Sequence, residues 1–487
     1  MAKAVSAPAS FAKRSLHAHS WLGLLISAVM FLICLSGTVA VLHLEFERWE
    51  QPFIAESTEF NIDQVEKAYT AFTDEYHDET HHYYFVFPGT GVPRLVMEDD
   101  HRAHFVDDRG ALIEQENVTW TEMLVDLHLY LHLPHTFGMI FVSACGALLC
   151  ALIISGLFAH PRIIKDAFKF RYGGDGLKTN IDLHNRLSVW GTPFHLMIAI
   201  TGAYFGLAGV FVTIIAQAFY GGDTQEVYDR AFTPEPELVQ EVAPPNIGAA
   251  MRDLRTKVDT DNLLFFTVHE PGTPKQFMEF FVRTPERLIY SENYRYDSAG
   301  NYLEKAGYSD GDGGMQALYS VFRLHFGDFI GMPGKVLYVI LGMMLTVISA
   351  TGLNIWLKKR KTRDAINVMW PAFVWGTPIA LVVSAIAYFA IALAPVWVFW
   401  LSLLLLVGAG SKFAHEDNVV SMFKQLLGLV IVMFWVVYAV QFGSAALSVA
   451  ALQINLPLLA VGAWAMWSGS GKGADLRAAN QQAQAAK

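Results

Sequence analysis

Apolar residues in this chain come in runs too long for the interior of a soluble domain. Stretches of about 18 or more are long enough to cross hydrocarbon as helices. Eight are read here: 21–43, 136–158, 191–219, 334–357, 371–392, 394–410, 427–447 and 450–468. The first follows Lys13 and Arg14 as a signal peptide would, but its apolar core exceeds an ordinary h-region, so it is read as a retained anchor that keeps His19. Between spans one and two, and again between three and four, the pattern shortens and alternates. Ile62–Tyr69 predicts a helix, and Tyr83–Phe87, Arg94–Met97 and His104–Val106 predict strands, with a turn at Asp107–Gly110. The second outer segment repeats the scheme, with a helix over 247–258, strands over 263–268, 276–282 and 288–290, and a hairpin over 296–303. The fold class that follows is a mainly α membrane protein, a helical bundle of about eight transmembrane helices with two small α+β outer domains.

The chain then divides as follows: 1–43, N-terminus and first span; 44–127, outer domain; 128–160, span; 161–183, basic loop; 184–220, span; 221–320, outer domain; 321–357, span; 358–370, basic loop; 371–468, four further spans; 469–487, tail. Orientation follows from lysine and arginine. Lys13, Arg14, Arg162, Lys165, Lys169, Arg171, Lys178, Lys358, Lys359, Arg360, Lys361 and Arg363 fall on one side, which is therefore cytoplasmic, as are both termini. With 53% apolar and 16% charged residues in 487, the chain is too apolar for an ordinary soluble enzyme. Its net charge of −10 is concentrated in the outer segments, which excludes nucleic acid as a partner. Cys34, Cys145 and Cys150 all lie inside spans and imply no disulfide framework.

The two halves repeat each other, and the shared feature is histidine at span ends. His19 and His184 each precede a run that closes on Ser36-Gly37 or Thr201-Gly202; His132 and His325 each precede one that closes on Ser155-Gly156 or Thr351-Gly352. Histidine at the edge of hydrocarbon is costly unless paired or ligating. Four at equivalent places predict two equivalent sites, one per membrane face, and haem with two axial imidazoles is the ligand that fits. The glycines let helices approach closely. His128 lies one turn before His132 and is equally able to ligate, but His132 is favoured because it aligns with His325; His195 is a further candidate inside the third span. Met139 and Met332 also correspond and are read as packing residues, and the group His77, His81 and His82 with His101 and His104, in which His77 and His81 stand at i and i+4, is weighed as a metal site but read as a solvated loop. Arg162, Lys165, Lys169 and Arg171 are candidates for haem propionate contacts. No dinucleotide or phosphate-loop fingerprint is present, so electrons must come from a separate donor, a cytoplasmic reductase or a membrane quinol. The last four spans hold no histidine and are read as scaffold or oligomer contact.

The fragments His19-Ser20-Trp21-Leu22-Gly23, Leu127-His128-Leu129-Tyr130-Leu131-His132, His184-Asn185-Arg186-Leu187 with Thr201-Gly202, and Leu324-His325-Phe326-Gly327 resemble the PepSY-associated transmembrane family over roughly residues 15–360. The resemblance implies PepSY-like domains in the periplasm and a place in the bacterial inner membrane. Some members are ferric-siderophore reductases with two b-type haems, which implies the same activity here: haem b bound by His19, His184, His132 and His325, and a ferric siderophore or other ferric chelate as electron acceptor. The alternatives are a sensor or assembly protein without redox activity, and an iron or haem transporter. Transporters usually place polar or broken helices at mid-membrane, whereas the polar signals here sit at the edges.

Overall fold

The computed structural model describes residues 10–470 apart from 90, 161, 169–175, 312, 414, 416 and 417. Lys169, Arg171 and the tail from 471 onward therefore lie outside the described residues. In chain order the elements are α1 (Phe11–Ala40), α2 (His43–Glu50), α3 (Ile62–Glu75), β1 (His82–Val86), β2 (Leu95–Asp99), β3 (Ala103–Val106), β4 (Leu112–Gln115), α4 (Thr119–Leu129), α5 (His135–Ala159) and a short α6 (Ile163–Asp166). The second half supplies α7 (Gly176–Phe219), α8 (Thr224–Ala231), α9 (Ile247–Leu254), β5 (Leu263–His269), β6 (Phe277–Val282), β7 (Glu292–Asp297), β8 (Tyr302–Ala306), α10 (Gly313–Phe326) and α11 (Met332–Lys359). The chain closes with α12 (Ile366–Ile391), α13 (Pro395–Phe413), α14 (Val419–Phe442) and α15 (Val449–Gly469).

Among the described residues eight helices are long and apolar enough to cross a membrane, and they coincide with the eight expected runs. Several extend further than the apolar pattern. Helix α1 starts at Phe11, where the Ser10 side chain accepts from the Lys13 amide, and α7 starts at Gly176, so part of the expected basic loop is helical and His19 and His184 lie within helices. The hydropathy pattern marks only the part matched to hydrocarbon. The backbone stays hydrogen-bonded beyond it, and the helix continues.

The chain forms two compact units, one of Met1–Pro52, Thr119–Leu207 and Lys335–Lys487, the other of Phe53–Val118 and Ala208–Gly334. Helices α2 and α4, which the sequence placed in the first outer domain, belong to the first unit. Their apolar faces explain this: Phe46, Trp49, Trp120, Met123, Leu124 and Leu127 join the same buried core as α1 and α12–α15. Trp49 is 1% exposed and stacks on Tyr438 at 5.3 Å. The Tyr438 hydroxyl donates to the Trp49 carbonyl at 2.7 Å, and Trp49 Nε1 donates to Asn455 Oδ1 at 3.0 Å. The Glu50 side chain accepts from the Trp120 and Thr121 amides and so caps the N-terminus of α4. A buried Lys335–Glu45 ion pair, 2.7 Å, ties α11 to α2.

In the second unit the expected two small domains share one eight-stranded antiparallel sheet, ordered β4-β3-β2-β1-β5-β6-β7-β8. The seam is β1 against β5, with Phe85 opposite Phe266. One face packs on α3 and α9 through Val65, Ala68, Phe72, Ile247, Met251 and Leu254. Strands alternate, so the other face carries a polar row that runs Glu98, Tyr84, Thr267, Glu279, Arg295, Glu304 across the registers. Arg295 Nε donates to Glu279 at 2.8 Å and its Nη1 to Glu304 at 2.9 Å. The strand expected over 288–290 does not form. The chain turns at Glu286, before this segment, and the Tyr290 amide donates to the Tyr319 carbonyl on α10 rather than to a strand, so the third strand of that half is β7 instead. His77 and His81 are not on a helix, since α3 ends at Glu75; among the described residues no group of three metal-binding side chains converges.

Glu98 supplies a pH test of this unit. Burial, with Glu116, Asp99 and Asp100 nearby, pushes its carboxyl up to about 7 from an ordinary 4.5. Between those values the folded chain holds a proton that the unfolded chain has lost, so this residue's contribution to stability falls as pH rises through the window. The unfolding midpoint of the detergent-solubilised protein should therefore decline from about pH 5 to about pH 8, and Glu98→Gln should flatten part of that decline. An unchanged slope in the variant would refute the assignment.

Candidate functional site: histidines seated against glycine

His19 on α1 and His184 on α7 lie side by side, ring centroids 6.2 Å apart and planes inclined by 77°. Each is held by the same device. His19 Nδ1 donates to the Leu152 carbonyl at 3.0 Å, and His184 Nδ1 to the Ile348 carbonyl at 3.2 Å. In both cases the acceptor lies four residues before a glycine against which the ring rests: a Cβ on Gly156 would stand 3.1 Å from His19 Cε1, and one on Gly352 would stand 3.5 Å from His184 Cε1. The hydroxyl before each glycine completes the seat, Ser155 Oγ at 3.4 Å from His19 Nδ1 and Thr351 Oγ1 at 3.2 Å from His184 Nδ1. A carbonyl only accepts, so Nδ1 carries the proton in both rings and Nε2 carries the lone pair. This is the arrangement by which a backbone carbonyl fixes the tautomer of a metal-binding histidine. Two imidazoles that ligate one metal from opposite sides, with bonds of about 2 Å, have centroids on the order of 6 Å apart, which the pair matches.

His128 occupies a third seat of this kind. Its Nδ1 donates to the Ile33 carbonyl at 3.0 Å, again four residues before a glycine, and a Cβ on Gly37 would stand only 2.4 Å from its Cε1. His132 is placed differently. Its Nε2 donates to the Met123 carbonyl at 2.8 Å and its Nδ1 accepts from Trp400 Nε1 at 2.9 Å. Both nitrogens are thus committed to protein partners, and no lone pair is left for a metal. The element boundaries also change the correspondence between the halves. His128 is the second-last residue of α4 and His325 the second-last of α10, and in both cases the next α-helix begins seven residues after the histidine. His325 therefore corresponds to His128, whereas the sequence alignment paired it with His132. His195 is 2% exposed and donates from Nε2 to the Leu341 carbonyl at 3.1 Å, the opposite nitrogen from the three seated rings. Arg162 and Lys165 are exposed around α6.

The Ser/Thr-Gly pairs are legible in the sequence as places of helix approach but not as ring seats. The signal was present, because Ser36-Gly37, Ser155-Gly156 and Thr351-Gly352 recur with the histidines. Which histidine meets which glycine is a tertiary fact. The three notches differ in clearance, and that difference is testable. Gly37→Ala should displace the His128 ring and destabilise the protein by about 1–3 kcal/mol, the usual cost of overpacking, while Gly352→Ala, with room for a methyl group, should cost much less. Equal losses in thermal unfolding would contradict the notch geometry.

The PepSY-associated TM region matches residues 16–359, which include the duplicated histidines and end before α12. A protein of Pseudomonas aeruginosa, described only as uncharacterized, is 26% identical over 271 residues, covering 51% of this chain and 66% of the relative, just under two thirds of its length. With that region matched over far more than half of its residues, the chain belongs to the PepSY-associated transmembrane family.

Proposed function

We propose that this protein is a transmembrane di-haem b-type cytochrome of the bacterial inner membrane that reduces a periplasmic ferric siderophore and releases ferrous iron. The observation that carries the reading is the His19–His184 pair: two neighbouring imidazoles with fixed tautomers, each seated by a carbonyl and a glycine. A purely anchoring histidine at a membrane edge needs no such seat, and it has no reason to face a second ring. The group these imidazoles would hold is haem, and it would supply one-electron transfer. His19 and His184 would hold the inner one. For the outer one the geometry favours His128 over His132, and His325 is its counterpart by the duplication.

The protein's own contribution is to bind, orient and exclude. The Leu152, Ile348 and Ile33 carbonyls keep each imidazole in one tautomer and one rotation. The apolar helices around these rings would keep water out of the site, which suits electron transfer. At the acceptor, a siderophore grips ferric iron with hard oxygen donors, and gain of one electron by that iron weakens the grip. The donor is a cytoplasmic reductase or a membrane quinol, since the sequence carries no nicotinamide or flavin fingerprint.

Purified protein made with ample haem supply should show a b-type reduced-minus-oxidised spectrum and two haems per chain by pyridine haemochrome. His184→Ala and His128→Ala should each remove one haem, whereas His132→Ala should retain both. A colourless preparation refutes the reading; loss of haem in His132→Ala with retention in His128→Ala reverses the outer assignment. The dithionite-reduced protein should be reoxidised by a ferric siderophore, and failure of that reaction with two haems in place would leave a cytochrome with another acceptor.

A further inference from the structure

We infer that Trp400 and His132 are positioning residues through which the tail helices set the His128 ring, and with it the properties of the outer haem. This rests on the di-haem reading above and extends it to Trp400 and the tail helices, outside the family-matched region, which ends at 359.

The starting point is the turn that ends α4. Leu131 and His132 both have positive φ, +56° and +55°, two successive residues with side chains in the left-handed region. Such a backbone persists only where its surroundings hold it, and neither residue is glycine. Three contacts do so: Leu131 is buried at 9% exposure, His132 Nε2 donates to the Met123 carbonyl inside α4, and Trp400 on α13 donates to His132 Nδ1. Trp400 thereby fixes the tautomer that lets His132 grip α4 from its own C-terminal side. His128 lies between the two ends of that grip, after Met123 and before His132 in the chain.

The opposite end of α4 is fixed by the same part of the molecule. Trp120 Nε1 donates to Ser384 on α12 at 3.0 Å, and Glu50, next to the Trp49 that α14 and α15 hold, accepts from the first amides of α4. Helices α12 and α13 thus place hydrogen bonds on α4 and the turn after it, and α14 and α15 place theirs on α2, whose Glu50 holds the start of α4. The need for such control is visible in the notch, where a Cβ on Gly37 would stand 2.4 Å from the His128 ring. With so little clearance, a small slide or rotation of α4 changes the angle at which the imidazole presents Nε2. The inner histidines, on α1 and α7, are held instead by Leu152, Ser155, Ile348 and Thr351 and should not respond.

The test uses the full chain, haem-loaded, with Trp400→Phe, which removes the N–H and keeps an aromatic ring, and His132→Gly, which relieves the left-handed backbone while removing both ring hydrogen bonds. Redox titration and low-spin EPR are the readouts. Both variants should retain two haems, and both should shift one midpoint potential and one EPR signal in the same direction, leaving the other haem as in wild type. The shifted signal should be the one lost in His128→Ala. If both variants give wild-type potentials and signals, the positioning role is wrong while the di-haem reading stands. A shift in the haem lost in His184→Ala, or in both haems, likewise overturns it. A wild-type protein without haem removes both proposals together.

Discussion

The bond from an imidazole Nδ1–H to a main-chain carbonyl is the contact on which the rest of this molecule turns. In an α-helix the carbonyl at position i already accepts from the amide at i+4, and a second donor can reach its other lone pair only where the surrounding side chains are small. Glycine four residues on, with serine or threonine before it, opens that path. The device recurs at Gly37, Gly156 and Gly352 because it solves a single packing problem: a flat polar ring must lie against a helix surface without leaving its N–H unsatisfied in an apolar interior. Helix spacing, small residues and histidine positions are therefore one constraint seen from three sides.

Much of the architecture could be read along the chain. Spans of apolar residues are local signals, and so were the Ser/Thr-Gly pairs and the histidines on α1 and α7. The choice between His128 and His132 was not local. Leu131-His132-Leu133 resembles Leu324-His325-Phe326 as letters, but the left-handed backbone at Leu131 and His132 falls on residues that rarely adopt it, so nothing in the sequence announced that α4 ends before His132. Trp400 was invisible for a related reason, since it lies 268 positions from its partner. The strand expected at 288–290 failed for a tertiary reason as well, since its Tyr290 amide pairs with Tyr319 on α10 and not with a neighbouring strand.

The tail helices also change character once packing is known. They carry no histidine, and as a sequence they look like inert scaffold. Packed, they supply Ser384, Trp400, Tyr438 and Asn455 as polar partners to α2, α4 and the turn that follows it, inside an otherwise apolar core. A buried polar contact is satisfied only in one register, whereas apolar side chains accept several with little penalty. These few contacts therefore specify how the apolar helices stack.

The β1–β5 seam in the second unit has a consequence of its own. Its two strands come from the two halves of a duplicated sequence, in antiparallel register from His82 opposite His269 to Val86 opposite Phe265. Were the halves separate polypeptides, that edge-to-edge pairing would depend on how much of each was present, and each half would expose an open strand edge to other chains. Linkage within one polypeptide replaces that dependence with a fixed effective concentration. It also closes the two edges against each other at synthesis, leaving β4 and β8 as the outermost strands.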